Sequence, residues 1–136
     1  VKPVTREFKP DIILISAGQD ASISDPLGRN QLVCESYRQM TEALIELAEE
    51  CCDGRLVILQ EGGYSELYAP YCTLAFVETL MGRRTGISEP LSWEYAQGRP
   101  ETTQVGLDAE AALAELEGLF APFWSSVSAA TTAVAD

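Results

Sequence analysis

The segment DIILISA, residues 11–17, is a short apolar run that ends at Gly18, and RLVILQ, residues 55–60, is a second run followed by Gly62 and Gly63. Short apolar runs bounded by breaking residues are typical of strands that are buried on both faces of a parallel sheet. Because a long helical pattern separates the two runs, we predict a strand–helix–strand unit whose strands lie parallel and adjacent.

The helical pattern lies between the two predicted strands. Its apolar residues step by three or four positions, which places them on one face of an α-helix, and the glutamates between them face elsewhere. Asp53 and Gly54 then turn the chain into the second strand. The predicted apolar stripe consists of Val33, Tyr37, Met40, Leu44, Leu47 and Cys51.

Two more helices are predicted after the second strand, separated by a loop over residues 83–106 that is rich in Gly, Pro, Ser and Thr. The first runs from about Glu66 to Gly82, with Pro70 near its first turn. Its expected buried face contains Cys72, Ala75, Phe76, Thr79 and Leu80.

The last helix is predicted from Asp108, as N-cap, to about Val127, and Pro122 should kink it or end it early. Its apolar stripe contains Ala109, Leu113, Leu116, Phe120, Phe123 and Val127. We assign residues 1–128 to the folded portion and expect residues 129–136 to form a disordered tail.

The composition excludes several classes of protein. The 136 residues carry 9 basic and 21 acidic side chains, a formal charge of −12, which disfavours direct binding to nucleic acid. No apolar run is long enough for a membrane span, and no signal peptide is visible, so we expect no membrane partner and a cytoplasmic location. The four cysteines form no C-x-x-C pair and are expected to be reduced thiols.

Two side chains stand where functional groups gather in open α/β sheets, just past the carboxyl ends of the strands. Asp20 follows the first strand, and its carboxylate is either a zinc or magnesium ligand or a turn residue that caps its own backbone. Tyr64 follows the second strand and two glycines, and it is either a phenol that donates to a developing oxyanion or an ordinary core tyrosine.

An ordered series of short motifs spans more than half of the chain. It comprises FKPD (8–11), SAGQDA (16–21), DPLGR (25–29), a helix, GRLVILQ (54–60) and EGGY (61–64). With its spacing preserved from about residue 8 to residue 82, this series resembles the class II histone deacetylases. It is most similar to the bacterial histone-deacetylase-like and acetylpolyamine amidohydrolases.

The resemblance implies a three-layer α/β/α fold, with residues 1–128 as the C-terminal portion of an arginase/deacetylase-type catalytic domain. By resemblance, Asp20 is one of the two aspartates that hold a zinc ion together with a histidine, and Tyr64 polarises the amide carbonyl. Gly62 matches the glycine that lines the acyl-lysine channel, and Leu27 matches a residue of the channel wall. Gln19 departs from the family pattern, in which a bulky apolar residue is common.

The function implied is hydrolysis of acetylated amines, either acetyl-lysine in proteins or acetylpolyamines. The chain contains no histidine, so the other zinc ligands and the family's histidine pair would lie in an N-terminal half, and this chain alone is expected to be inactive. The first residue is Val1, so we expect that the chain is part of a longer parent protein, and that this parent forms a homo-oligomer. The alternative is a non-catalytic α/β binding or scaffold module derived from the same fold.

Overall fold

The computed structural model describes residues 1–91, 93–97 and 102–127. The chain divides into two compact units, Asp11–Gly98 on the one hand and Val1–Pro10 with Arg99–Asp136 on the other. The elements, in chain order, are α1 (Lys2–Phe8), β1 (Ile13–Ala17), α2 (Cys34–Cys52), β2 (Leu56–Gln60), α3 (Ala69–Leu80), α4 (Trp93–Gln97) and α5 (Thr102–Phe120).

The two predicted strands form a parallel sheet. β1 pairs with β2 in a register that runs from Ile13 opposite Leu56 to Ala17 opposite Gln60. A parallel pair needs a crossover connection, and α2 supplies it, as the strand–helix–strand pattern predicts. The α/β fold class is confirmed.

The prediction that both faces of the strands are buried is wrong for the described part of the chain. Ile15 and Ile58 lie on the face that packs against the core formed with α2 and α3. On the opposite face, Leu14 is 61% exposed and Leu59 is 50% exposed. The alternation follows from the pleat of the strands, because successive side chains point to opposite faces and the helices of this unit cover one of them.

Helix α2 forms where the pattern places it, and it ends at Asp53, which adopts the left-handed conformation at φ 49°. Its buried face is rotated from the predicted stripe, since Met40 is 42% exposed and Cys52, rather than Cys51, is buried. Polar residues take part in this face because they find partners there; Thr41, for example, donates to the carbonyl oxygen of Tyr37 at 2.7 Å. The buried residues are Cys34, Tyr37, Arg38, Thr41, Leu47, Ala48 and Cys52.

Helix α3 packs against α2 and has Pro70 in its first turn, as predicted, but it runs from Ala69 to Leu80 and is therefore shorter than the predicted Glu66 to Gly82. Three predicted core residues of α3, Cys72, Ala75 and Phe76, are buried. The ring of Phe76 meets that of Tyr37 edge to face, with the centroids 5.3 Å apart. Leu80 is 48% exposed, so the predicted apolar face of α3 stops short of the end of the helix.

The C-terminal helix differs from its prediction at one end. α5 begins at Thr102, inside the expected loop, and α4 occupies another part of that loop. Asp108 is therefore not an N-cap; it lies within α5 and accepts a hydrogen bond from Gln104 at 2.8 Å. The helix ends at Phe120, shortly before Pro122, as predicted.

The predicted stripe of α5 is mostly exposed, with Leu113 at 59%, Leu116 at 47% and Phe120 at 49%. The expected disordered tail, residues 129–136, lies outside the described residues. Within the described ranges, no helix combines the length and the hydropathy that crossing a membrane requires.

A buried ion pair joins α2 to α3 and to the segment after α3. Arg38 donates to Glu78 at 3.1 Å, and both side chains are less than one-tenth exposed. The backbone N–H of Thr85 donates to the other oxygen of Glu78 at 2.7 Å. The hydroxyl and backbone N–H of Thr85, together with Arg38, lower the pKa of Glu78 from 4.5 to about 2.

We expect Glu78→Gln to destabilise the protein in a pH-dependent way. Because the folded-state pKa is depressed, the contribution of Glu78 is fully present above about pH 5 and is lost as the pH falls towards about 2. The melting temperatures of the wild type and the variant should therefore differ most above about pH 5 and converge at acidic pH. Glu42→Gln, on the exposed face of α2, is the matched control, and a pH-independent difference for Glu78→Gln would contradict this reading.

Candidate functional site

The loops that follow β1 and β2 lie side by side at one edge of the sheet. Backbone pairing continues past the strands, because Glu61 donates to the carbonyl oxygen of Ala17 at 3.2 Å and Gln19 donates to that of Gly62 at 2.7 Å. This edge is the carboxyl end of both strands, where parallel sheets place their functional groups.

Asp20 packs between two glycines, one from each loop. A Cβ atom on Gly62 would lie 2.6 Å from Oδ2 of Asp20, and one on Gly18 would lie 2.6 Å from Oδ1. Side-chain atoms cannot approach so closely, so only glycine at both positions leaves the carboxylate its place. The structure thus brings Asp20 and Gly62 into direct contact.

The Asp20 carboxylate caps no turn. Among the described residues, none donates a hydrogen bond to it, although it is half buried. The turn that follows is capped by Asp25, whose Oδ1 accepts from the N–H groups of Leu27 and Gly28, each at 2.8 Å. The capping interpretation of Asp20 therefore has no support in these contacts, and its role as a metal ligand stays a prediction.

The β1 loop folds tightly back on itself. A Cβ atom on Gly28 would overlap the carbonyl oxygen of Asp20, so the chain after the Asp25 turn rests directly on the Asp20 backbone. Leu32 pairs with the same loop by donating to Ala21 at 3.1 Å and accepting from Ile23 at 2.9 Å. These contacts fix the Asp20 backbone from within its own loop.

Tyr64 is not a core tyrosine, since it is 54% exposed. Its side chain lines an open groove of about 640 Å³ together with residues of the β2 loop and the start of α3. This groove includes neither Asp20 nor Gly62, so it does not bring the Tyr64 side chain together with those two residues. Leu27 lies on the surface of the β1 loop at 71% exposed, and its placement in a channel wall stays a prediction.

Asp25 is the residue of this site that sequence reasoning missed. Its Oδ2 accepts from the backbone N–H of Tyr64 at 2.8 Å, so one carboxylate joins the two loops. Burial alone would raise the pKa of Asp25, but the N–H groups that donate to the carboxylate outweigh burial and lower the pKa. The Asp-Pro-x-Gly pattern, typical of a turn closed by its own aspartate, is the signal that could have identified it.

The described residues do not make up a metal site by themselves. Among them, no group of three His, Cys, Asp or Glu side chains could hold an ion. The chemistry of Asp20 suits a single ligand position, because no described residue donates to its carboxylate and it stands at the carboxyl edge of the sheet. Two further protein ligands would have to come from outside the described residues.

The family model of the histone deacetylase domain matches residues 1–80. The histone deacetylase-like amidohydrolase of Pseudomonas aeruginosa is 45% identical over 91 residues, which are 67% of this chain and 24% of that protein. The probable deacetylase of Archaeoglobus fulgidus is 43% identical over 83 residues, 60% of this chain and 23% of that protein. The chain thus spans about a quarter of the length of these relatives.

Solved structures share the fold. The HD domain of HDA15 superposes with a TM-score of 0.67 over 96% of this chain and 32% of that chain, at 24% identity. The histone deacetylase Clr3 superposes with a TM-score of 0.68 over 93% of this chain and 18% of that chain, at 25% identity.

We expect Gly62→Ala to displace the Asp20 carboxylate, because the new methyl group would occupy its position. Overpacking of this kind typically costs about 1–3 kcal/mol of unfolding free energy. Thermal unfolding and a structure of the variant would measure both effects. Gly106→Ala is the control, since a Cβ there meets nothing within 4 Å and alanine within α5 should leave the stability unchanged or raise it by up to about 1 kcal/mol; an unmoved Asp20 in Gly62→Ala would contradict the packing argument.

Proposed function

The chain belongs to the histone deacetylase family, and from that premise we propose that it forms part of the active site of an enzyme that hydrolyses acetylated amines. The observation that carries the proposal is the Asp20 carboxylate, which receives no hydrogen bond from any described residue and packs against Gly62 at the carboxyl end of the sheet. Acetyl-lysine in a protein and an acetylpolyamine are the two candidate substrates, since both present the same acyl group.

Asp20 is proposed as one ligand of a zinc ion. When bound, zinc supplies Lewis-acid polarisation of the acyl carbonyl and activation of a water molecule. The proposed role of Asp20 is to present a carboxylate oxygen to the ion, without competing hydrogen bonds from the described residues. The glycines on either side leave space for this carboxylate. The remaining ligands and the histidine pair belong, in this proposal, to other residues of a longer parent, since this sequence has no histidine.

Tyr64 is proposed as the hydrogen-bond donor to the oxyanion that develops on the acyl group. Its exposed phenol stands on the loop next to that of Asp20, and a donor aimed at developing charge acts mainly in the transition state. Gly62 and Leu27 are proposed to line the approach of the acyl chain. A glycine suits such a wall because it lets a ligand come close to the backbone.

In the full-length parent, Tyr64→Phe should lower turnover by roughly 100- to 1,000-fold, the usual cost of removing one oxyanion donor. Zinc content, measured by elemental analysis, should stay unchanged, because the phenol is no metal ligand in this proposal. Assays with an acetyl-lysine peptide and an acetylated polyamine would also rank the two substrates. Tyr71→Phe, on α3, is the control, and full turnover in Tyr64→Phe would remove Tyr64 from the mechanism.

The chain of residues 1–136 by itself should contain well below one zinc per chain and should not hydrolyse an acetyl-lysine peptide. A catalytic zinc usually takes three protein ligands, and Asp20 supplies one. Cys51 and Cys52 do not replace the others, because neighbouring helical residues point about 100° apart. The full-length parent, assayed in parallel, is the control; a fragment that binds one zinc tightly and cleaves the peptide would refute the proposed division of the site.

A further inference from the structure

We propose that Asp25 is a positioning residue for Tyr64: its carboxylate fixes the backbone from which the Tyr64 phenol reaches the substrate. The inference rests on the proposed function of Tyr64 as the oxyanion donor. It adds a residue that stands on the other loop of the site and that touches neither the substrate nor the metal.

The geometry ties each oxygen of Asp25 to a different loop. Oδ1 accepts from Leu27 and Gly28 within the β1 loop, and Oδ2 accepts from Tyr64 in the β2 loop, all at 2.8 Å. Asp25 as a whole residue is 9% exposed, so water competes little for these bonds. Hydrogen bonds from N–H groups to a carboxylate are among the stronger ones in proteins.

The orientation of the Tyr64 backbone has to be fixed by a residue outside its own segment, because the preceding glycine restrains it little. Gly63 adopts φ 142°, a conformation that residues with a side chain rarely take. Because glycine has no side chain to limit its backbone dihedrals, Gly63 itself does not dictate the orientation of the Tyr64 peptide. The Tyr64 side chain is half exposed, and its direction therefore depends mainly on the backbone that Asp25 holds.

The arrangement requires a carboxylate rather than an amide. All the groups that point at Asp25 in these bonds are N–H donors, and an ionised aspartate has acceptors only. An asparagine could keep the turn bonds through its oxygen, but its NH₂ group would then face the N–H of Tyr64. Asp25→Asn thus breaks the link between the loops while it changes the volume very little.

A second bridge between the same loops provides a matched control. The hydroxyls of Ser24 and Ser65 lie 3.1 Å apart on the exposed side of the loops. Ser24→Ala removes this contact without removing the bond between Asp25 and Tyr64. A general loosening of the loops would therefore affect both variants, whereas the proposed positioning role affects one.

The test uses the full-length parent with a saturable acetyl-lysine peptide assay. Asp25→Asn should lower kcat by about ten- to a hundredfold, the typical cost of a small misplacement of a reacting group, with KM and zinc content nearly unchanged. Ser24→Ala should keep kcat within about twofold, since a single exposed contact contributes little. Combining Asp25→Asn with Tyr64→Phe should be no slower than Tyr64→Phe alone, because both changes then act on one interaction.

Two outcomes would overturn the positioning role while the proposed function stands: an unchanged kcat in Asp25→Asn, or losses that multiply in the double variant. An unchanged kcat together with a raised KM would point to Leu27 instead. Full turnover in Tyr64→Phe would overturn the proposed function itself. If Asp25→Asn fails to fold, hydrogen exchange in the wild type decides. The Tyr64 amide should exchange slowly despite its exposed side chain, and exchange at the rate of an unstructured residue would refute the proposal.

Discussion

The parallel pairing of β1 and β2 is the constraint on which the candidate site depends. Because both strands run in the same direction, both of their following loops emerge at the same edge, with Ala17 opposite Gln60. The pairing then continues through Gln19 and Gly62, so the loops are aligned by backbone hydrogen bonds before any side chain contributes. Residues more than forty positions apart in sequence are thereby brought into contact.

Glycines, which have no side chain, make this alignment possible. Gly18 and Gly62 leave space for the Asp20 carboxylate, and Gly28 lets its loop close on the Asp20 carbonyl. The glycines of the sequence motifs therefore act mainly by allowing other groups to approach the backbone closely. At Gly63, the backbone also adopts a positive φ that residues with a side chain rarely take. The same freedom has a cost, since glycine leaves its neighbours poorly restrained, and Asp25 of the β1 loop compensates for it by accepting from the Tyr64 N–H.

Patterns that depend on the neighbours of a residue in the chain were predictable, and those that depend on distant partners were not. The two strands, the bounds of α2 and the place of Pro70 in the first turn of α3 follow from local signals. The buried face of α2 does not, because Arg38 is buried by its pairing with Glu78 on another helix. The start of α5 was misplaced because Gly106 suggests a loop, although one glycine costs a helix only about 1 kcal/mol.

The β1 loop carries two aspartates whose environments differ in a way that sequence alone cannot express. Asp25 is buried, and backbone N–H groups donate hydrogen bonds to both oxygens of its carboxylate, so its negative charge stabilises the loops. Asp20 is half buried, and no described residue donates to it, so its charge remains available to a ligand. A buried or partly buried carboxylate without donors is unfavourable unless something else compensates it. Enzyme sites often contain two carboxylates whose surroundings give them different roles. Here the difference arises because the parallel strands bring backbone N–H groups within reach of Asp25 and leave the Asp20 carboxylate without a described donor.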